Sequence, residues 1–342
     1  MNSLPRIGLM PGDVTGIGPE IAAKLLASSQ TPRLAEVVII GDRRVLELGM
    51  HNAGVSVPFT PYRDYADIRW PREDYPLLDL GNTDPAKYPQ GKSSDEAGRL
   101  AGDTLKAMID LAQAGQIDGI CFAPLNKGAM NRGGWKFNDE HQMFASLLNH
   151  RGFFGEMNVI NQFSTFRVTS HVALREAVNM ITPERITAAI NLAHDTLTAA
   201  GKPRPRIGVA ALNPHNGENG LFGDEEIRII RPTVDGLRAS GIDCTGPISS
   251  DAIFLQALKG SFDGVVMMYH DQGQIATKLL GFNQGVTVTA GLSTVFTTPA
   301  HGTAYDIVGQ GKADPGAMTH AFTLAARMAA GRKAAKAATA AA

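Results

Sequence analysis

The chain has 342 residues, 44% apolar and 19% charged, with 32 basic against 33 acidic side chains. These numbers suit a globular protein of one large α/β unit or two lobes, with a sizeable core. The even charge balance, with no basic block in the body of the chain, argues against nucleic acid or an anionic membrane as partner.

From the start, a strand-like run at 6–10 follows Met1 so closely that no signal peptide is expected. Short β-branched runs then alternate with longer helical patterns, which predicts α/β architecture with a largely parallel sheet. Strands are predicted at 7–10, 37–40, 77–80, 119–122, 157–160, 166–169, 206–211, 264–268 and 285–289. A helix from about 95 to 114 opens with Ser93 three residues before Glu96, a capping-box pattern, and carries Leu100, Leu105, Met108 and Leu111 at helical spacing. Another opens at Thr182-Pro183 and runs through Ile186, Ile190, Ala193 and Leu197. The alanine-rich stretch 325–342 reads as a continuing helix. No apolar run reaches the ~20 residues of a membrane helix. Cys121 and Cys244 lack CxxC partners, which leaves no disulfide framework and suggests a reducing cytoplasm.

Four segments carry chemistry. Pro11-Gly12-Asp13-Val14-Thr15-Gly16-Ile17-Gly18-Pro19-Glu20 is a glycine-rich turn into a helix, suited to close approach of an anionic ligand, or simply a tight strand-to-helix turn. Ala123-Pro124-Leu125-Asn126-Lys127-Gly128 puts a lysine at a strand's mouth, where it serves a substrate anion or moves a proton, or is merely solvated. His171, His215 and His270 each stand where an apolar run breaks into a polar loop, with Asp251 and Asp271 nearby in sequence. Each histidine alone reads equally as a hydrogen-bonded strand-end residue, but together they are a plausible facial set for one divalent ion. Imidazoles favour zinc, manganese, cobalt or nickel, whereas magnesium prefers oxygen ligands.

The fourth segment, His301-Gly302-Thr303-Ala304-Tyr305-Asp306-Ile307-Val308-Gly309, resembles the HG[ST]A-x-DI-[AV]-G signature of the β-decarboxylating dehydrogenases. With PGDxxGIGPE, the PxxKG loop, LNPHxGExG at 212–220 and YHDQG at 269–273, residues 6–328 resemble the 4-hydroxythreonine-4-phosphate dehydrogenase family of pyridoxal phosphate biosynthesis. The resemblance implies an isocitrate/isopropylmalate dehydrogenase-like two-lobed α/β/α fold, with a central mixed, largely parallel sheet and an inter-lobe cleft. It divides the chain into a cofactor lobe at 1–130 and 295–330, a metal, substrate and dimerisation lobe at 131–294, and a tail at 331–342.

It implies NAD or NADP held by Gly12, Asp13, His301, Gly302, Thr303, Ala304 and Asp306, and one divalent ion, zinc foremost, on His171, His215 and His270. Lys278 would touch substrate, and a homodimer would share the metal site between subunits. The implied reaction oxidises a secondary alcohol β to a carboxylate with decarboxylation, and Lys127, Asp251 and Asp271 are the candidates for moving protons.

The chain departs from the family pattern in two places, the segment after the lysine loop and the phosphate-gripping region. Asp139-Glu140-His141-Gln142 stands where relatives carry Gly-His-Thr-Glu, Thr287 replaces an asparagine, and Phe296 replaces an arginine. A phenyl ring cannot grip phosphate, so a substrate without phosphate is expected, such as a dihydrodiol carboxylate whose ring would meet Phe296. The alternative keeps 4-hydroxythreonine-4-phosphate itself, with a nearby arginine such as Arg132 restoring the grip. An acyltransferase of the same fold, or a non-catalytic relative, is a further alternative, which the HGTA segment and the histidines oppose.

Overall fold

A computed structural model describes residues 4–160, 163–280 and 285–341. The strands, in chain order, are β1 (Arg6–Met10), β2 (Glu36–Gly41), β3 (Phe59–Tyr62), β4 (Tyr75–Asp79), β5 (Gly119–Phe122), β6 (Gly155–Val159), β7 (Ser164–Arg167), β8 (Ile207–Ala210), β9 (Cys244–Ile248), β10 (Gly264–Met267), β11 (Val286–Ala290) and β12 (Val295–Pro299). The chain forms two compact units, one of residues 1–151 with 292–342 and one of 152–291.

In the first unit the strands lie in the order β3-β4-β2-β1-β5-β12, all parallel. Ile7 pairs with both Val37 and Gly119, and Leu9 with Cys121. Parallel strands buried on both faces read as continuous apolar runs, as in Val37 to Ile40. The helix Asp95–Gln113 is capped by Ser94, whose Oγ accepts from the Ala97 amide. The expected cap, Ser93, instead accepts from Asn126 Nδ2 at 3.0 Å, because the helix starts at Asp95 and Ser94 is the extended residue just before it. Gly316–Ala341 forms one helix across the expected boundary at 330.

Segment 131–151, expected with the second lobe, packs in the first unit. The helix Glu140–Leu147 carries Phe144, which stacks on Phe296 at 4.2 Å with planes 9° apart and meets Phe122 edge-on at 5.7 Å. Both cysteines are free and buried, and desolvation pushes the Cys121 thiol up to about 12. No helix among the described residues is long and apolar enough to cross a membrane.

In the second unit the order is β11-β6-β7-β10-β8-β9, with β7, β10, β8 and β9 parallel and β6 antiparallel to both β7 and β11. The helix Pro183–Ala199 begins as predicted, with Thr182 Oγ1 accepting from the Arg185 amide. Adjacent strands β7, β10 and β8 run in one direction, so the loops that carry His171, His270 and His215 all leave from their carboxyl ends. Such strand ends are where α/β sheets bind ligands.

Candidate active site

In the second unit the loops after β7 and β10 are stitched together. The Val168 amide donates to Met267 O at 2.8 Å, and Thr169 Oγ1 donates to Met268 O at 2.8 Å. The stitching brings the rings of His171 and His270 to 5.5 Å between centroids. They share a cavity of about 190 Å³, lined also by Thr169, Ser170, Tyr269 and Asp271. His171 has a left-handed backbone at φ 53°, which turns its side chain out of the strand direction. His270 opens the helix His270–Leu279, and its Nδ1 lies 2.7 Å from Asp271 Oδ1. A carboxylate on Nδ1 fixes the tautomer that leaves the Nε2 lone pair free for a metal.

The loop carrying His215 is built differently. His215, Asn216, Gly217, Glu218 and Asn219 all have φ between 42° and 76°, a left-handed turn that suits an Asn- and Gly-rich sequence. A turn of that hand persists only where its surroundings hold it. Glu226, fully buried, accepts from the Leu212 and Asn213 amides at 2.7 Å each and from Asn213 Nδ2 at 2.9 Å. Gln272 is a second clamp: its Oε1 accepts from the Met268 amide, and its Nε2 donates to Ala211 O and Ser250 Oγ. The His270 loop is thereby tied to the root of the His215 loop. Glu226 and Gln272 were not singled out from the sequence. The signal available was an acid and an amide inside or beside the two histidine motifs.

His215 itself does not join the imidazole pair, and its ring lies 6.3 Å from that of Phe222. Among the described residues no group of three or more His, Cys, Asp or Glu side chains is arranged to hold a metal ion. The donor chemistry of His171 and His270, with Asp271 behind, nevertheless fits two positions of a divalent ion's shell. Asp251 is exposed in the first turn of Ser250–Leu258, outside the cavity lining. Lys278 is exposed in the last turn of the His270 helix. Thr287 is buried, and its Oγ1 accepts from Asn158 Nδ2 at 3.3 Å.

In the first unit three of the sequence segments converge. Tyr305 OH donates to Asp13 Oδ2 at 2.8 Å and accepts from Asn126 Nδ2 at 2.8 Å. Asp13 Oδ1 accepts from the Thr15 amide and hydroxyl, and the Ile17 amide donates to Thr303 O at 3.0 Å. Gly12, at φ 83°, admits no side chain, since a Cβ would stand 2.8 Å from the Ala123 carbonyl and Pro124 O. At Gly302 the space a Cβ would occupy is open, so backbone there is accessible to a ligand, and the segment fits the cofactor that the resemblance implies. Ala304, with φ 42°, leads into the short turn Tyr305–Ile307, where Asp306 is exposed. His301 Nδ1 lies 3.0 Å from Gly302 O.

Lys127 Nζ lies 2.6 Å from Glu140 Oε2, so the acid that replaces the family histidine is met by a cation. Glu140 and His141 are both buried. Phe296 corrects the expectation of a substrate contact. It is completely buried and stacked on Phe144, and a ring with no accessible surface cannot face a substrate.

Residues 33–325 match the family described as pyridoxal phosphate biosynthetic protein PdxA. The chain belongs to this family. A Pseudomonas aeruginosa relative, provisionally named 4-hydroxythreonine-4-phosphate dehydrogenase 2, is 45% identical over 333 residues, covering 95% of this chain and 97% of the relative. A D-threonate 4-phosphate dehydrogenase from Cupriavidus necator is 40% identical over 328 residues, covering 95% and 98%. The crystal structure of a 4-hydroxythreonine-4-phosphate dehydrogenase from Burkholderia phymatum superposes with a TM-score of 0.79 at 39% identity, covering 96% and 99%. As expected for a PdxA-family chain, the fold is that of the isocitrate dehydrogenase-like α/β proteins.

Proposed function

We propose that this PdxA-family protein is a divalent-metal-dependent, NAD-linked dehydrogenase. Its substrate is a four-carbon hydroxy acid 4-phosphate, whose secondary alcohol β to the carboxylate is oxidised with loss of carbon dioxide. The observation that carries the reading is the His171 and His270 pair at neighbouring strand ends, with Asp271 on Nδ1 of the second ring. The 4-phosphate in the names of relatives 45% and 40% identical supports a phosphorylated substrate. The contrary expectation rests on Phe296 in place of a phosphate-gripping arginine and on its ring meeting an apolar substrate, but that ring is buried in the core and offers a substrate no surface.

When bound, the cation supplies fixed positive charge at the oxygen that becomes a carbonyl, and NAD accepts the hydride. His171 and His270 would hold the cation, and Asp271 keeps the His270 ring in the required tautomer. Lys127, Asp251 and Asp271 remain the groups proposed to take the hydroxyl proton and to return one to the carbon that loses carboxylate. Lys278 places a cation on the His270 helix for the substrate's anionic end.

A second copy of the chain completes the metal shell in this reading. Its support is the exposed apolar surface, in which Leu174, Leu221, Ile275 and Leu279, 60% to 82% exposed, all belong to the second unit. The free thiols of Cys121 and Cys244 suit a reducing compartment.

The test is NADH formation with Mn²⁺ or Zn²⁺ on 4-hydroxythreonine 4-phosphate, D-threonate 4-phosphate and a dihydrodiol carboxylate in parallel. Turnover of either phosphate ester, abolished by chelator, is expected. Turnover of the dihydrodiol alone would reverse the substrate assignment.

A further inference from the structure

Behind the imidazole pair lies a polar network that neither the sequence motifs nor the proposed chemistry uses. Arg167 ends β7 with only 2% of its side chain exposed. Its guanidinium pairs with Glu156 Oε2 at 3.1 Å, donates to Asn158 Oδ1 on β6, and reaches Ser170 Oγ at 3.3 Å. Asn158 Oδ1 also accepts from Gln274 Nε2 at 3.1 Å, and Asn158 Nδ2 donates to Glu156 Oε1 and Thr287 Oγ1. Ser170 lines the cavity and directly precedes His171, while Gln274 is one helical turn beyond His270. One buried hub therefore touches the residue before His171 and a residue one helical turn beyond His270.

We infer that Arg167 is a positioning residue for the His171 and His270 pair, acting through Ser170 on one side and through Asn158 and Gln274 on the other. Packing alone accounts poorly for it. A buried ion pair gains little over apolar groups of the same shape, and here Arg167 Nε and Gln274 Oε1 are buried without hydrogen-bond partners. Groups that orient metal-binding imidazoles from behind typically govern affinity by about 10- to 100-fold. The inference rests on the metal reading above, and its test separates the two.

Compare the wild type with Arg167→Met, with the double variant Glu156→Leu/Arg167→Met, and with Ser170→Ala. Read Zn²⁺ affinity by chelator competition, imidazole ¹H–¹⁵N signals by NMR, and stability by urea melts. The single charge deletion strands Glu156 and loses stability. The double variant removes both charges and is expected to regain the urea midpoint while its Zn²⁺ affinity stays about 10-fold weaker, with shifted His171 and His270 signals. A double variant binding Zn²⁺ within threefold of wild type overturns the inference. If the double variant does not fold, Ser170→Ala decides by the same threshold. If the wild type binds no Zn²⁺, the metal reading fails, and imidazole signals unchanged in the variants then overturn the positioning role independently.

Discussion

Phe296 and Thr287 are the two positions at which this chain lacks its family's polar pair, and each has become part of an interior. The Phe296 ring completes an aromatic stack with Phe144 and Phe122. Phe296→Ala is expected to cost about 3–5 kcal/mol of stability in urea melts, with KM for the substrate within twofold of wild type at a temperature where the variant is folded. A large rise in KM with little loss of stability would return the ring to the substrate site. Thr287 donates no charge to a ligand; it closes the Asn158 network. Sequence showed that these residues had changed. It could not show what the replacements touch, because Phe144 lies far along the chain and only the packed helix brings it over the strand.

Among the elements, those with strong local chemistry were legible and those whose chemistry is non-local were not. The central strands β1, β2, β5 and β10 declared themselves through apolar runs, and the helix at Thr182-Pro183 through its cap. The unpredicted strands were β3, β9 and β12. β3 and β9 are edge strands interrupted by Pro61 and Pro247, and β12 is rich in threonine and ends in proline. The candidate site was half legible: the loops and histidines were evident, but the clamps that shape them were not. Glu226 is the clearest clamp, since it satisfies two backbone amides and one side-chain amide from zero exposure. Glu226→Ala is expected to cost on the order of 3 kcal/mol by urea melt and to release the left-handed turn at His215. Loss of protection of the 212–220 amides in hydrogen exchange would register that release, and unchanged protection would count against the clamp.

For the whole molecule, the distribution of exposed apolar side chains is uneven. Of the large ones among the described residues, only Leu4 lies in the first unit. If a second copy covers the others, Ile275→Lys/Leu279→Glu should convert a dimer to monomer in sedimentation velocity, while the circular dichroism spectrum stays that of the wild type. A wild type that sediments as a monomer would remove the proposed shared site.

The first unit draws its strands from both sides of the second, with β12 returning to pair beside β5 in parallel. That path orders the events of synthesis. The second unit, one uninterrupted segment from 152 to 291, has all its residues available before β12 leaves the ribosome. The first unit must hold β5 with an unfilled edge until then, and closing the gap between Phe122 and Val295 costs less entropy if the intervening chain has already folded. A nascent chain stalled before residue 295 would therefore present a finished insert on an unfinished host.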